Sequence, residues 1–142
     1  MARKAADLAS LIRLRKFILD ERQRELAALA AREEQLIQYG RELERQLVRE
    51  GQIAQADPTS AGRLFGAFVE DHKKRRERLA ITLAAVRREI EEARDRLAEA
   101  YRERKTLEEV QKARAMRELA EANRAEQAEL DEVAQNQFLR KA

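Results

Sequence analysis

His72 is the only imidazole in the chain, and no cysteine accompanies it. A lone imidazole can titrate near neutrality or hold a partner group, but on general burial trends it reads first as a seam-edge or surface residue. A zinc site needs a cluster of His, Cys or carboxylate ligands, so no metal is expected. The carboxylates come as adjacent pairs, Glu33-Glu34, Glu91-Glu92 and Glu108-Glu109. Acid–base work needs groups within reach of one reacting bond, but neighbours on a helix point about 100° apart. No glycine-rich loop is present to cradle a phosphate, and no thick core is there to wall a pocket. The chain therefore reads as a non-enzyme, with no catalytic residue and no cofactor. Recognition chemistry remains. The run His72-Lys73-Lys74-Arg75-Arg76-Glu77-Arg78 is the densest basic patch. It suits an acidic protein or phosphate groups, or it is a solvated helix face with snorkelling side chains. Nucleic acid is not an expected partner, because interleaved aromatic stacking groups are missing and acids lie close by.

The elements that carry these residues follow from composition. The chain has 142 residues, of which 40% are charged and only 4% aromatic, with 30 basic and 27 acidic side chains giving +3. Good helix formers dominate. With heptad spacing, that bias means long helices or a coiled coil. Both signs of charge are interspersed, unlike the concentrated basic footprint of a nucleic-acid binder. No apolar run approaches the ~20 residues of a membrane span, so no direct membrane insertion is expected. Arg13, Arg15 and Lys16 interrupt any signal-peptide core.

Pro58 is the only proline. It cannot continue a helix, and it stands in Asp57-Pro58-Thr59-Ser60-Ala61-Gly62, with Gly51 just upstream. Before it run two seven-residue series, Leu8, Arg15, Arg22, Leu29, Leu36, Leu43 and Ile12, Leu19, Leu26, Glu33, Gly40, Leu47. Their alternating spacings of four and three are the a/d seam of a left-handed coiled coil. After it run Phe65, His72, Leu79, Val86, Ala93, Ala100, Leu107 and Val69, Arg76, Leu83, Ile90, Leu97, Arg104. The phase slips beyond Leu107, and a sparser stripe follows through Met116, Leu119, Asn123, Leu130 and Val133. A slip of this kind changes local winding.

Helices joined by a short connection lie antiparallel. The sequence thus predicts an all-α fold: an antiparallel two-helix coiled-coil hairpin with a longer second helix, forming one domain over 1–142. The first arm covers about 5–51, the loop about 52–62 and the second arm about 63–140, with Ser60 or Thr59 as cap. Acid-first pairs Asp20/Arg24, Glu70/Lys74, Glu92/Arg96 and Glu108/Lys112 support helicity. An excess of roughly 25 residues lets the second arm overrun the first by about 40 Å, which leaves room for a partner to supply the missing neighbour. Leu11, Leu14 and Ile18 widen the apolar face near the N-terminus, so something besides the partner arm is expected to pack there. Tyr39, Phe65 and Phe68 are three of the chain's six aromatics and fall toward the loop end. They serve either as interface anchors or as local packing.

The segment Asn123-Arg124-Ala125-Glu126-Gln127-Ala128-Glu129-Leu130-Asp131-Glu132-Val133-Ala134, with the basic Arg140-Lys141 after it, resembles the closing segment of the flagellar export family FliJ. Leu11-Ile12-Arg13-Leu14-Arg15-Lys16-Phe17 and Tyr101-Arg102-Glu103-Arg104-Lys105 are also similar to that family. Ala122 departs from it, standing where the family often has Glu. The resemblance spans the chain in length and arm asymmetry, and its sequence-specific part is about twenty residues.

The resemblance implies a non-enzymatic stalk or coupling subunit of the flagellar type III export apparatus. Such a protein is cytoplasmic and peripherally associated with the inner membrane at the flagellar base. Its implied partners are the export ATPase hexamer, the membrane export-gate protein, export chaperones and the ATPase regulator. On this likeness the doubled end enters the ATPase ring through Leu11, Leu14, Ile18, Asn123, Arg124, Gln127, Leu130 and Asp131. The gate meets Tyr39 and Phe68, joined by Leu36 and Leu43, whose heptad positions equally suit the seam, and by His72, where the family tends toward an apolar residue. The alternatives are the stalk of a virulence type III secretion system and a generic coiled-coil scaffold or holdase chaperone.

Overall fold

The computed structural model describes residues 2–141, in two helices: α1 (Ala2–Ala56) and α2 (Ala61–Lys141). No strand occurs among the described residues, and the two helices pack against each other as an all-α helical hairpin. Two compact units divide the chain: Leu19–Glu99, and the segment up to Ile18 together with the segment from Ala100 onward.

In the Leu19–Glu99 unit the core is the seam that the heptad spacing predicts. Leu36, Val86 and Ile90 form its centre, with Leu26, Leu29, Leu79 and Leu83 packed around them. Leu19 and Leu43 are buried as well, and Ala93 is fully covered. Every residue of the four a/d series is at least partly covered, except Arg76. Its long stem leaves the seam, and its Nε meets the Glu44 carboxylate at 3.4 Å. Snorkelling of this kind keeps the charge wet.

Polar seam positions are met by pairing rather than by apolar packing. Glu33 accepts from Arg87 of the other helix at 3.3 Å. Glu25 accepts from Arg96 across the helices and from Arg22 on its own helix. The Arg96 guanidinium, more than Arg22, holds the Glu25 carboxyl below its ordinary range. The acid-first spacings noted in the sequence are not the pairs that form: Arg24 meets Glu21, Arg96 crosses to Glu25, and Glu108 accepts from Arg104. A long guanidinium has several acids in reach, and a single spacing does not select among them. Such part-exposed pairs contribute little, being wet and screened, so apolar burial holds the seam.

Gly40 occupies a seam position, and a Cβ there would lie 3.1 Å from Leu79 Cδ2. The missing side chain lets Leu79 close onto α1. Gly51 is different: the Phe65 ring lies 3.6 Å from where its Cβ would be, an ordinary contact that leaves room for a side chain. The helix formers after it carry α1 on to Ala56 instead of ending it near residue 51. A mid-helix glycine costs only about 1 kcal/mol.

The connection is therefore residues 57–60, shorter than the 52–62 the sequence suggests. Asp57, whose conformation the following proline restricts, organises it. Its carboxylate accepts from the hydroxyls of Ser60 (2.6 Å) and Thr59 (3.1 Å) and from the Ser60 amide (3.4 Å). Its carbonyl accepts the Gly62 amide at 3.2 Å. Asp57 thus does the organising expected of Ser60 or Thr59. The Ser60 bonds, then Thr59, lower the Asp57 carboxyl below its ordinary value. A depressed carboxyl stabilises the fold above its unfolded-state pKa of about 3.9, and the contribution fades as pH falls through the folded value. Amide protection at 60–62 should accordingly drop on acidification below about pH 4. Asp57→Ala should show the loss already at neutral pH; unchanged protection in that variant, read by hydrogen exchange, would contradict the role.

Candidate functional site

The sequence-predicted residues fall into two sets, one in each unit. In Leu19–Glu99, Tyr39 is 46% exposed and presents its ring to solvent. Phe68 is half-buried, stacked on Phe65 with centroids 6.4 Å apart and 6.1 Å from the His72 ring. The other three residues of this set are not on the surface. Leu36 and Leu43 are core residues of the seam, and Leu43 is only 2% exposed. His72 is 4% exposed, with Nε2 2.9 Å from the Leu43 carbonyl. As the proton donor in that contact, the ring gives a buried carbonyl a second partner and ties α2 to α1. The expectation that Leu36, Leu43 and His72 face a docking partner is thus corrected. Their heptad positions turn them toward the other helix, and that spacing was the stronger signal.

The exposed apolar side chains nearest the connection are ones sequence reasoning did not select. Val48 and Ile53 on α1 and Leu64 on α2 are all mostly exposed. They lie off the a/d series, and that position was the available signal. The basic run is solvated apart from His72. Arg75 pairs with Asp71 at 2.9 Å and Arg76 with Glu44, while Lys73, Lys74 and Arg78 have no ion-pair partner among the described residues.

In the other unit, Leu11 and Leu14 are exposed and Ile18 is half-buried. The three share one face of α1, next to the seam positions Leu8, Ile12 and Arg15. Arg15 reaches Glu103 of α2, and Ala100 is buried. Phe17, which the sequence reading passed over as a site residue, is more exposed than any of the three. Every described residue of α2 from Glu109 to Lys141 is exposed, a stretch of about 50 Å at 1.5 Å per residue. It includes Asn123, Arg124, Gln127, Leu130 and Asp131, with the Gln127 amide donating to Asp131 at 3.1 Å. Met116, Leu119, Asn123, Gln127, Leu130 and Phe138 share one face at 3.6 residues per turn. Phe138 extends this face beyond the stripe seen in sequence.

No cluster of three or more His, Cys or carboxylate ligands occurs among the described residues. No described helix is long and apolar enough to cross a membrane. The depressions in the Leu19–Glu99 unit are open grooves. One is floored by Leu36, Gly40, Leu79 and Leu83, and Arg41 and Arg45 are on its rim.

Compared with known proteins, residues 4–142 match the family model described as Flagellar FliJ protein. No curated protein and no solved structure matches the chain.

Proposed function

This chain belongs to the flagellar FliJ family, a family of flagellar protein export, and from that premise we propose that it is the non-enzymatic stalk of the export ATPase. The observation that carries the reading is the stretch Glu109–Lys141, in which every described residue is exposed and an apolar face is left open. An isolated helix of that kind gains most of its stability from packing, and the centre of an ATPase hexamer supplies such packing. Asn123, Arg124, Gln127, Leu130 and Asp131 then face the ring, and Leu11, Leu14 and Ile18 offer an apolar strip from α1.

The gate-facing site is smaller than the sequence suggests. Tyr39 and Phe68 remain as its anchors, with Leu36, Leu43 and His72 holding the helices beneath them. Export chaperones and the ATPase regulator are further partners under the same reading, and the location is the cytoplasmic face of the inner membrane at the flagellar base. The mechanism is mechanical and allosteric: the stalk favours ring assembly and couples nucleotide turnover to the gate. Tyr39→Ala with Phe68→Ala should weaken export-gate binding about tenfold or more, as expected for loss of aromatic anchors, with helicity unchanged. Gate affinity that does not move would remove the gate-facing site. Capture of many apolar clients with no dominant ATPase would instead favour a scaffold or holdase.

A further inference from the structure

Two stretches of α2 carry opposite charge and leave it largely unanswered. Residues 118–132 hold six acids against one base, Arg124, and all are exposed. No ion pair engages any of these residues among those described. Residues 73–88 hold seven bases against one acid, Glu77. Three of those bases are committed: Arg75 to Asp71, Arg76 to Glu44 and Arg87 to Glu33. Lys73, Lys74, Arg78 and Arg88 are exposed without a partner among the described residues.

The faces match in pattern as well as sign. At 3.6 residues per turn, Lys74, Arg78, Ile81, Ala85 and Arg88 form one stripe, and Ile81 is 72% exposed within it. Glu118, Ala122, Glu126, Glu129 and Val133 form another, edged by exposed Leu119 and Leu130. Each stripe is about 22 Å long. Laid antiparallel, Glu129, Glu126 and Glu118 follow the order of Lys74, Arg78 and Arg88, with apolar side chains between the charges on both sides. Each stripe is thus left open to a complement on another molecule.

We propose that the occupant is a second copy of this chain: the acidic stripe 118–133 of one molecule docks on the basic stripe 74–88 of the next. The contact is heterologous, the same two different surfaces meeting head to tail, so it extends to further copies unless it closes. It covers the stretch that the stalk reading assigns to the ATPase ring, and its test needs no ATPase, so either reading can fail without the other.

The test is sedimentation velocity and light scattering of the full chain over about 5–200 µM, at about 50 mM and about 500 mM salt, where the Debye length differs about threefold. The expected result is a mass that climbs with concentration at low salt and returns to the monomer at high salt. The triple variant K74E/R78E/R88E should be monomeric throughout, as should E118K/E126K/E129K. An equimolar mixture of the two should associate again, because each then offers the other a complementary stripe. A wild-type chain that stays monomeric at low salt would overturn the proposal, whatever the variants do. So would association that persists in either triple variant alone, or a mixture of the two that stays monomeric with helicity intact.

Discussion

Leu43→Ala should lower the stability of the hairpin by about 2–5 kcal/mol, the range for emptying a buried leucine site. Leu43 is the largest side chain that is almost wholly enclosed, and the seam around it is the narrow a/d stripe of two helices. Little can collapse into the space left behind. The His72 ring, bonded to the Leu43 carbonyl, is fixed in place and does not fill it. Total stabilities of ordinary domains are only about 5–15 kcal/mol, so the loss is a large share. Leu64→Ala is the matched control: the same deletion at an exposed site near the connection should stay within about 0.5 kcal/mol. Urea unfolding followed by helical circular dichroism measures both. A Leu43 variant no less stable than the Leu64 variant would mean that the seam does not hold this unit together.

The second large effect concerns the other end of α2. Removing the residues after Asn123 takes away Gln127, Leu130 and Asp131, all exposed and none part of a packed core. Unfolding of the Leu19–Glu99 unit should be unchanged, because its core lies entirely within it. Binding to the cognate export ATPase should fall at least a hundredfold, as when several interface anchors are lost together, while affinity for the export gate stays as it was. Isothermal titration against each partner separates the two. Undiminished ATPase binding would move the contact off the C-terminal stretch. Loss of both affinities at once would mean that the two surfaces are not independent.

Much of the fold is legible in the sequence because one physical rule dominates it. A repeat of seven with apolar spacings of four and three has to bury one stripe, and Leu19, Leu36, Leu43, Val86 and Ile90 do so. The polar members of the same series were the harder part. Nothing in the spacing says that Arg76 swings out to Glu44 while His72 stays in and meets a carbonyl; side-chain length and the nearest partner decide that. The end of α1 was hidden for a related reason. Gly51 reads as a breaker, yet α1 runs through it to Ala56.

The docking surfaces were legible only in part. Leu36, Leu43 and His72 satisfied two patterns at once, proximity to an aromatic and membership of the seam, and burial resolved the choice. Phe17 and Leu64 are exposed because they lie off the a/d series, and Phe138 lies in the stretch of α2 where every described residue is exposed. The stretch 109–141 was visible as a change of phase and, in its later part, an excess of length, and every described residue in it is exposed.

The central claim is that this chain acts on the export ATPase as its stalk. The most direct measurement is the steady-state ATP hydrolysis rate of the cognate flagellar export ATPase, titrated with the full chain and, in parallel, with the chain ending at Asn123. The account predicts a rate that rises and saturates with the full chain and stays at its basal level with the shortened one. A rate indifferent to the full chain, with no co-elution of the two proteins, would contradict it.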